Sequence, residues 1–389
     1  MMTIPKTPVQ SEEIVMRMVG DAGITDFSLG SHTIKPVEHG LGKNLTNVVE
    51  MNGQFVVANF EKNVYILEND DKITQIDEND KSEEKSEEKS VKKPKNSNKL
   101  KLKKMFAGQL DDVKDIKFLN NKEILIASTS SKISKIDTET GNWQFLEGHT
   151  EPVLCLATFT DGIVLSGAKD RNIRLWKDNH ESSVITGHVG SITSLAASKS
   201  GRKKLKNAKT RVFASGSDDK TVKLWEYQEN GAISCKWTIQ AHEDDISGMD
   251  FSPNDAFLAT CSADKTIKLW NSETGEMIQQ FKGHKRGVWK VVFSPSDQVI
   301  ASCSSDGTVK VWDIKSGECL KTFEEHDCTV LQVYFTLNGQ HLVSTDAVGV
   351  MKFWLMKTNE CVNTIEAHDG RAWAVAGSYD GSPNYRAFG

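Results

Sequence analysis

Imidazole, carboxylate and hydroxyl side chains that together could run nucleophilic catalysis recur along this chain at fixed intervals. His242, His284, His326 and His368 follow one another at steps of 42 residues. Trp270, Trp312 and Trp354 keep the same step, each 28 residues after its histidine. Asp170, Asp219, Asp264 and Asp306 stand six residues before Trp176, Trp225, Trp270 and Trp312, and Ser166, Ser215, Thr260 and Ser302 stand four residues before those aspartates. An imidazole oriented by a carboxylate and touching a hydroxyl is the arrangement that turns serine into a nucleophile. Repetition argues against that use here, because an enzyme needs its active site once and this sequence writes the set in every unit.

The interval points to the elements that carry these groups. A period of about 40–45 residues, with Gly-His early and Trp late, is the signature of the WD repeat, one four-stranded propeller blade per unit. It reads Gly283-His284 … Val311-Trp312-Asp313, with weaker copies Gly148-His149 … Leu175-Trp176, Gly187-His188 … Leu224-Trp225 and Ala241-His242 … Leu269-Trp270. Within one unit, Val288 to Ser294, Val299 to Ser304, Thr308 to Asp313 and Cys319 to Phe323 are β-rich runs separated by Ser-Pro-Ser-Asp, Ser-Asp-Gly and Lys-Ser-Gly-Glu turns. No stretch sustains a 3.6-residue apolar period, so helices should be scarce. One such sheet cannot bury two apolar faces alone; neighbours must stack, and a closed ring protects the edges. The chain therefore resembles the WD-repeat family, and the expected fold is an all-β, seven-bladed propeller. The resemblance also implies the role of the repeated side chains: a buried network in which the histidine bridges aspartate and hydroxyl and the indole N–H completes the set.

Departures from the pattern carry expectations of their own. In the unit ending at Trp354 the aspartate position is Val348, so its network should be incomplete. Residues 107–145 look like a blade with Ile136 in place of tryptophan, and residues 47–68 like a weaker one. Five clear blades, two degenerate ones and a final fragment leave two closures open. The expected one is the simplest, seven blades with the chain ends sharing one sheet, in which the N-terminal strands near 47–68 pair with the strand around Trp373. In the competing one, 107–389 is a propeller with a truncated seventh blade and 1–70 a remnant of something else. The resulting division is an irregular segment 1–40, a degenerate blade or blade remnant 41–70, a charged disordered linker 71–104, propeller blades 105–376 and a C-terminal tail 377–389.

Composition narrows the function. The start, Met1 to Lys6, lacks an apolar stretch typical of a secretory signal, and no apolar run approaches the ~20 residues of a membrane span. A nuclear or cytosolic, reducing setting is expected, with no membrane partner. The seven cysteines contain no C-x-x-C pair, and Cys261 and Cys303 fall at matching points of apolar strands, where they read as small core residues. No metal, cofactor or small-molecule substrate is expected. The net charge of −5 conceals segregation: residues 68–88 hold ten acidic side chains, whereas Lys92 to Lys104 holds seven lysines and no acid. The run Lys92-Lys93-Pro94-Lys95 with Lys99 to Lys104 fits a nuclear address.

A closer resemblance lies in Ala241-His242-Glu243-Asp244-Asp245-Ile246, Gly283-His284-Lys285-Arg286-Gly287-Val288-Trp289 and Phe293 to Gln298, with Asn359-Glu360-Cys361-Val362. Over roughly residues 105–376 the chain is similar to the second propeller of the transducin-beta-like WD-repeat proteins associated with the U-three small nucleolar RNA. That resemblance implies a non-catalytic, nucleolar scaffold of the small-subunit processome, supporting pre-rRNA processing and small ribosomal subunit biogenesis. Its partners would be other processome WD-repeat proteins, with contact to the backbone of pre-rRNA or small nucleolar RNA. Another WD adaptor, such as a ubiquitin-ligase substrate receptor, is the alternative.

Two binding regions stand out. The residues after each Gly-His, including Thr150, Val189, Glu243, Lys285 and Asp327, are mixed in sign, which suits protein partners. Lys285, Arg286 and Arg371 are the candidates there. The insertion Gly201 to Arg211 lengthens one loop and carries Arg202, Lys203, Lys204, Lys206, Lys209 and Arg211, candidates for RNA-backbone contact. It has no aromatic residue to stack on bases.

Overall fold

Alternating apolar and polar residues, cut at short intervals by turn-forming residues, give strands and nothing else: among the described residues there is no α-helix. The computed structural model describes strand backbones between residues 16 and 106, then residues 113–120, 123–137, 140–199, 210–228, 230–296, 298–336, 339–366 and the strand 374–375.

Six successive units fold as four-stranded antiparallel sheets: blade 1 over 113–146, blade 2 over 153–185, blade 3 over 192–240, blade 4 over 246–282, blade 5 over 288–323 and blade 6 over 330–366. In blade 5 the strands are Val288–Phe293, Val299–Ser304, Val309–Asp313 and Cys319–Phe323, close to the runs read in the sequence. Burial grades along each unit. Val299–Ser304 is covered on both faces, while Cys319–Phe323 is exposed at most positions, as an outer edge should be. Inner strands of consecutive blades lie against one another around the ring. The fold is a seven-bladed β-propeller.

Two local devices recur. The turn between second and third strands places a left-handed residue at the same point in five blades, Arg171, Lys220, Lys265, Gly307 and Gly349. Each donates its N–H three residues back, as Gly307 does to the Ser304 carbonyl at 3.3 Å. Every inner strand also bulges after its first paired residue, for example between Val288 and Lys290 and between Ile246 and Gly248. Such bulges bend the strand and re-aim one side chain.

The core lies between blades, not within them. Val212, Ala214 and Leu224 of blade 3 pack with Met249, Phe251 and Trp270 of blade 4, and Leu269 and Phe281 of blade 4 pack with Val291, Phe293 and Trp312 of blade 5. Each of the larger side chains contributes about 1.5–3 kcal/mol by leaving water, so a blade without a neighbour forfeits most of its stability. Polar clasps at the rim add to this. Trp237 and Gln279, 42 residues apart, donate to the Ser272 and Ser316 carbonyls of the next blade, each at 3.3 Å, and Lys321, 42 further on, donates to that of Met356.

The seventh sheet joins both ends of the chain. Leu45–Met51, Gln54–Asn59, Val64–Asn69 and Leu100–Phe106 form its antiparallel part, and Ala374–Val375 adds alongside Leu45–Met51 in parallel, Ala374 opposite Asn47. Closure thus uses N-terminal strands in place of a truncated C-terminal blade. Two boundaries differ from the sequence reading. Leu100–Phe106 is the outermost strand although 71–104 reads as linker, because lysines alternate there with Leu100 and Leu102 and an edge strand tolerates them. Met16–Gly20, Gly23–Phe27 and Val37–Gly40 form a separate three-stranded antiparallel sheet inside the segment read as irregular. Residues 71–99 and the tail 377–389 lie outside the described residues.

Candidate functional site

The strands bring the repeated groups together as sets of four. In blade 5, His284 Nδ1 lies 3.0 Å from Asp306 Oδ2, its Nε2 lies 2.8 Å from Ser302 Oγ, and Trp312 Nε1 donates to the same Oγ at 2.8 Å. The sets His149–Asp170–Ser166–Trp176, His188–Asp219–Ser215–Trp225 and His242–Asp264–Thr260–Trp270 repeat it, with every distance between 2.7 and 2.9 Å. Register explains the convergence. Trp312 pairs with Ile300, two residues before Ser302 on the neighbouring strand, so its indole leans across the same face.

One proton arrangement satisfies every atom: the indole N–H donates to the hydroxyl, the hydroxyl donates to Nε2, and Nδ1–H donates to the carboxylate. That is the connectivity of a nucleophilic triad with its attacking oxygen closed off. Ser166, Ser215, Thr260 and Ser302 are fully buried, and the face of each hydroxyl that would meet a substrate holds an indole N–H.

The aspartates work in two directions. Oδ2 also accepts the backbone N–H of the residue after the histidine (Thr150, Val189, Glu243, Lys285) at 2.8–3.2 Å, pinning the loop between blades. Oδ1 accepts from the strand ahead, including the Thr221, Thr266 and Thr308 hydroxyls at 2.6–2.7 Å. Those threonines were missed in the sequence, although their signal is plain: a threonine two residues after the aspartate in three units. Burial alone would raise the Asp219 carboxyl, but hydrogen bonds from Thr221, His188 and Val189 bring it down to about 2. Asp170, Asp264, Asp306 and Asp346 are likewise held below the ordinary carboxylate range, their hydrogen bonds overcoming burial. Burial lowers His149 and His188 despite their aspartates, favouring neutral imidazoles.

Blade 6 corrects one expectation. Val348 does occupy the aspartate position, yet the network is complete because Asp346 supplies the carboxylate from two residues earlier. His326 Nδ1 lies 2.8 Å from Asp346 Oδ2, His326 Nε2 2.7 Å from Ser344 Oγ, and Trp354 Nε1 2.8 Å from that oxygen. In blades 3, 4 and 5 the position of Asp346 is Ser217, Ser262 or Ser304, whose hydroxyl accepts the N–H of the turn aspartate. Asp346 covers both tasks, its Oδ1 accepting from Val348 and Val350 at 3.1 and 2.8 Å. The sequence rule counted positions, whereas a carboxylate has enough reach to act from a neighbouring one.

Antiparallel strands put the loops entering each blade and the second-to-third-strand turns at one end of the ring, and all other loops at the opposite end. Lys285 and Arg286 are exposed at the first end; Arg371 lies outside the described residues. The roots of the basic insertion lie at the second. Arg202, Lys203, Lys204, Lys206 and Lys209 lie outside the described residues, but its two roots are placed. Lys199 bonds Asp255 Oδ1 through its N–H at 2.7 Å and Asp250 through Nζ at 2.8 Å, both on blade 4. Arg211 pairs with Asp161 on blade 2 and stands 5.7 Å over the Tyr227 ring, so its charge is already committed. The roots are therefore drawn toward opposite neighbours. Cys261 and Cys303 are fully buried, and burial holds both thiols well above their usual range. Among the described residues no cluster of His, Cys, Asp or Glu is set to hold a metal.

Comparison with known proteins agrees with this architecture. Transducin beta-like protein 3 of Rattus norvegicus is 38% identical over 212 residues, 49% of this chain and 26% of that protein. U3 small nucleolar RNA-associated protein 13 of Saccharomyces cerevisiae is 30% identical over 162 residues, 38% of this chain and 19% of that protein. The chain thus spans about a quarter or less of the length of these relatives. The crystal structure of the computationally designed Ika8 protein superposes with a TM-score of 0.63 over 89% of this chain and 92% of its own, at 23% identity, a likeness of fold alone. The family described as "WD domain, G-beta repeat" matches residues 142–177, 180–226, 233–271, 275–313 and 317–354, just over half of the chain. Those five matches fall on blades 2 to 6, where the four-residue networks sit, and the chain belongs to that family.

Proposed function

We propose that this chain is a non-catalytic scaffold of the nucleolar small-subunit processome, acting in pre-rRNA processing and small ribosomal subunit biogenesis. One observation carries the reading: the propeller is 38% identical over 212 residues to a transducin beta-like protein and 30% identical over 162 residues to a protein named for its association with the U3 small nucleolar RNA. The closed triads support the non-catalytic part, since each hydroxyl is buried, gives its proton to the histidine and accepts the indole N–H. The mixed charges on the loop end suit protein partners, which use local complementarity. At the opposite end, the basic insertion supports contact with an RNA backbone, where each neutralised phosphate adds salt-sensitive affinity.

Affinity purification of the tagged chain, with localisation and depletion, tests the proposal. The expected result is recovery of processome WD-repeat proteins with pre-ribosomal and U3 small nucleolar RNA, a nucleolar signal, and stalled small-subunit RNA processing on depletion. A recovered complex of cullin adaptors without ribosome-assembly factors would overturn it.

A further inference from the structure

Trp289 is placed where a core tryptophan would not be. It is the bulged residue of blade 5's inner strand, 37% exposed, and its Nε1 donates to Ser305 Oγ at 2.7 Å, which holds the ring at the loop end of the propeller. The close approach needs a glycine across the blade boundary: a Cβ on Gly248 would lie 3.0 Å from the Trp289 carbonyl oxygen. The neighbouring loop is equally fixed. The Lys285 N–H is held by Asp306 at 2.8 Å, and Gly287 packs on Ala263, two residues from the exposed Lys265 of blade 4. No salt bridge among the described residues engages Lys265, Lys285 or Arg286. Two exposed cations, Lys285 and Arg286, therefore lead within four residues into a partly exposed, oriented aromatic ring, on backbone with little freedom to rearrange.

The adjacent loop has the opposite sign. Glu243, Asp244 and Asp245 of blade 4 are exposed and stand near Asp218 of blade 3; burial and the charges of Asp244 and Asp218 raise the Asp245 carboxyl. A nucleic acid carries negative charge at every nucleotide and cannot reverse sign between neighbouring blades. A polypeptide can.

We propose that Trp289, with Lys285 and Arg286 of blade 5 on one side and Glu243 to Asp245 of blade 4 on the other, the two loops meeting at Ala263, is a docking surface for an extended protein segment. The segment carries a large apolar residue with carboxylates toward blade 5 and lysine or arginine toward blade 4. Aromatic and arginine side chains dominate binding energy when a partner covers them, and the charges fix the direction in which the segment lies. This deepens the scaffold reading and rests on it.

The test measures fluorescence anisotropy of four labelled probes with the full chain: a twelve-residue peptide with a central Leu-Phe, one acidic half and one basic half; all-glutamate-flanked and all-lysine-flanked versions; and a twelve-nucleotide uridine RNA. The mixed peptide should bind tightest of the three peptides. W289A should weaken it about tenfold or more, and so should the double variant K285E/R286E, which alters only exposed side chains and serves if W289A fails to fold. Absence of binding by the mixed peptide, equal binding by a uniformly charged peptide, uridine RNA binding that K285E/R286E weakens as much as it weakens the mixed peptide, or peptide binding unaltered in both variants would overturn the proposal. Co-purification with pre-ribosomal complexes is scored separately, so the docking surface and the scaffold reading can fail independently.

Discussion

Asp346 holds His326 at 2.8 Å from a position two residues ahead of the one the repeat assigns to its aspartate. The turn is otherwise unchanged: Gly349 takes the left-handed conformation found at Gly307, and its N–H returns to the Asp346 carbonyl at 3.3 Å, as that of Gly307 returns to Ser304. The backbone of the blade is thus constant, and only the origin of the carboxylate has moved.

D346A should therefore destabilise the propeller by about 2–4 kcal/mol, because it leaves a buried imidazole and two backbone N–H groups without their acceptor. V348D, which restores the repeat's consensus, should change stability by no more than about 0.5 kcal/mol, since the partner is already in place. Urea denaturation followed by tryptophan fluorescence separates the two outcomes. A stabilising V348D with a neutral D346A would reverse the assignment.

Stability should fall in two stages on acidification. His149 and His188 have lowered values in the folded state. Below the unfolded value of about 6.5, the unfolded chain takes up protons that the folded one refuses, so stability present at neutral pH declines as pH drops through that region. Asp219, at about 2 when folded, and the other depressed aspartates contribute stability that is complete above about pH 4 and is lost as pH falls below it. Urea midpoints from pH 8 to pH 3 should show both declines. H149Q and H188Q should be less stable at pH 8 and should flatten the first decline; a first decline unaltered in both would contradict the buried neutral imidazoles.

Much of this was legible in the sequence, and the limits have physical causes. The 42-residue step and the Gly-His and Trp anchors specify blades because each blade must present identical faces to its neighbours. The strands of blade 5 and the burial of Cys261 follow from that pattern. Closure was legible in outline, since pairing of the strands near 47–68 with one around Trp373 was the expected arrangement, but its register was not: Leu45–Met51 carries no Gly-His or tryptophan, and the Ala374–Val375 ladder depends on which edge remains open once six blades have stacked. The site followed the same division. Repetition identified the networks, whereas Trp289 looked like part of a motif until its bulge and exposure were seen. Arg211 read as one cation of a basic loop, yet it starts a strand and pairs with Asp161, a partner 50 residues away that spacing does not reveal.

Asp250 joins two blades. Its Oδ2 accepts the Phe293 N–H of blade 5 at 2.9 Å, and its carboxylate takes Lys199 from the root of the basic insertion on blade 3. D250A should cost about 1–3 kcal/mol by leaving that N–H unpaired. D250N, which still offers an acceptor, should recover most of it. Thermal melts of the two variants decide this; equal losses would mean that charge, not the hydrogen bond to Phe293, is what matters.

Neutralising Arg202, Lys203, Lys204, Lys206 and Lys209 to glutamine should lower affinity for single-stranded RNA. It should also reduce the dependence of binding on salt, by about 0.7 in slope for each phosphate that no longer meets a cation. Melting temperature should be unaltered. R211Q should behave oppositely, destabilising the fold through Asp161 with little effect on the salt slope. Filter binding across a salt series gives both values, and a slope unaltered in the five-residue variant would remove the insertion from any role in RNA binding.

Hydrogen exchange of the tryptophan indole N–H groups, followed by NMR on indole-labelled protein, is the most direct test of the closed networks. Trp176, Trp225, Trp270, Trp312 and Trp354 should exchange only when blades separate, orders of magnitude more slowly than the half-exposed Trp289. If those five indoles exchanged as fast as Trp289, the buried hydroxyls would be open to solvent, and both the locked ring and its non-catalytic reading would be contradicted.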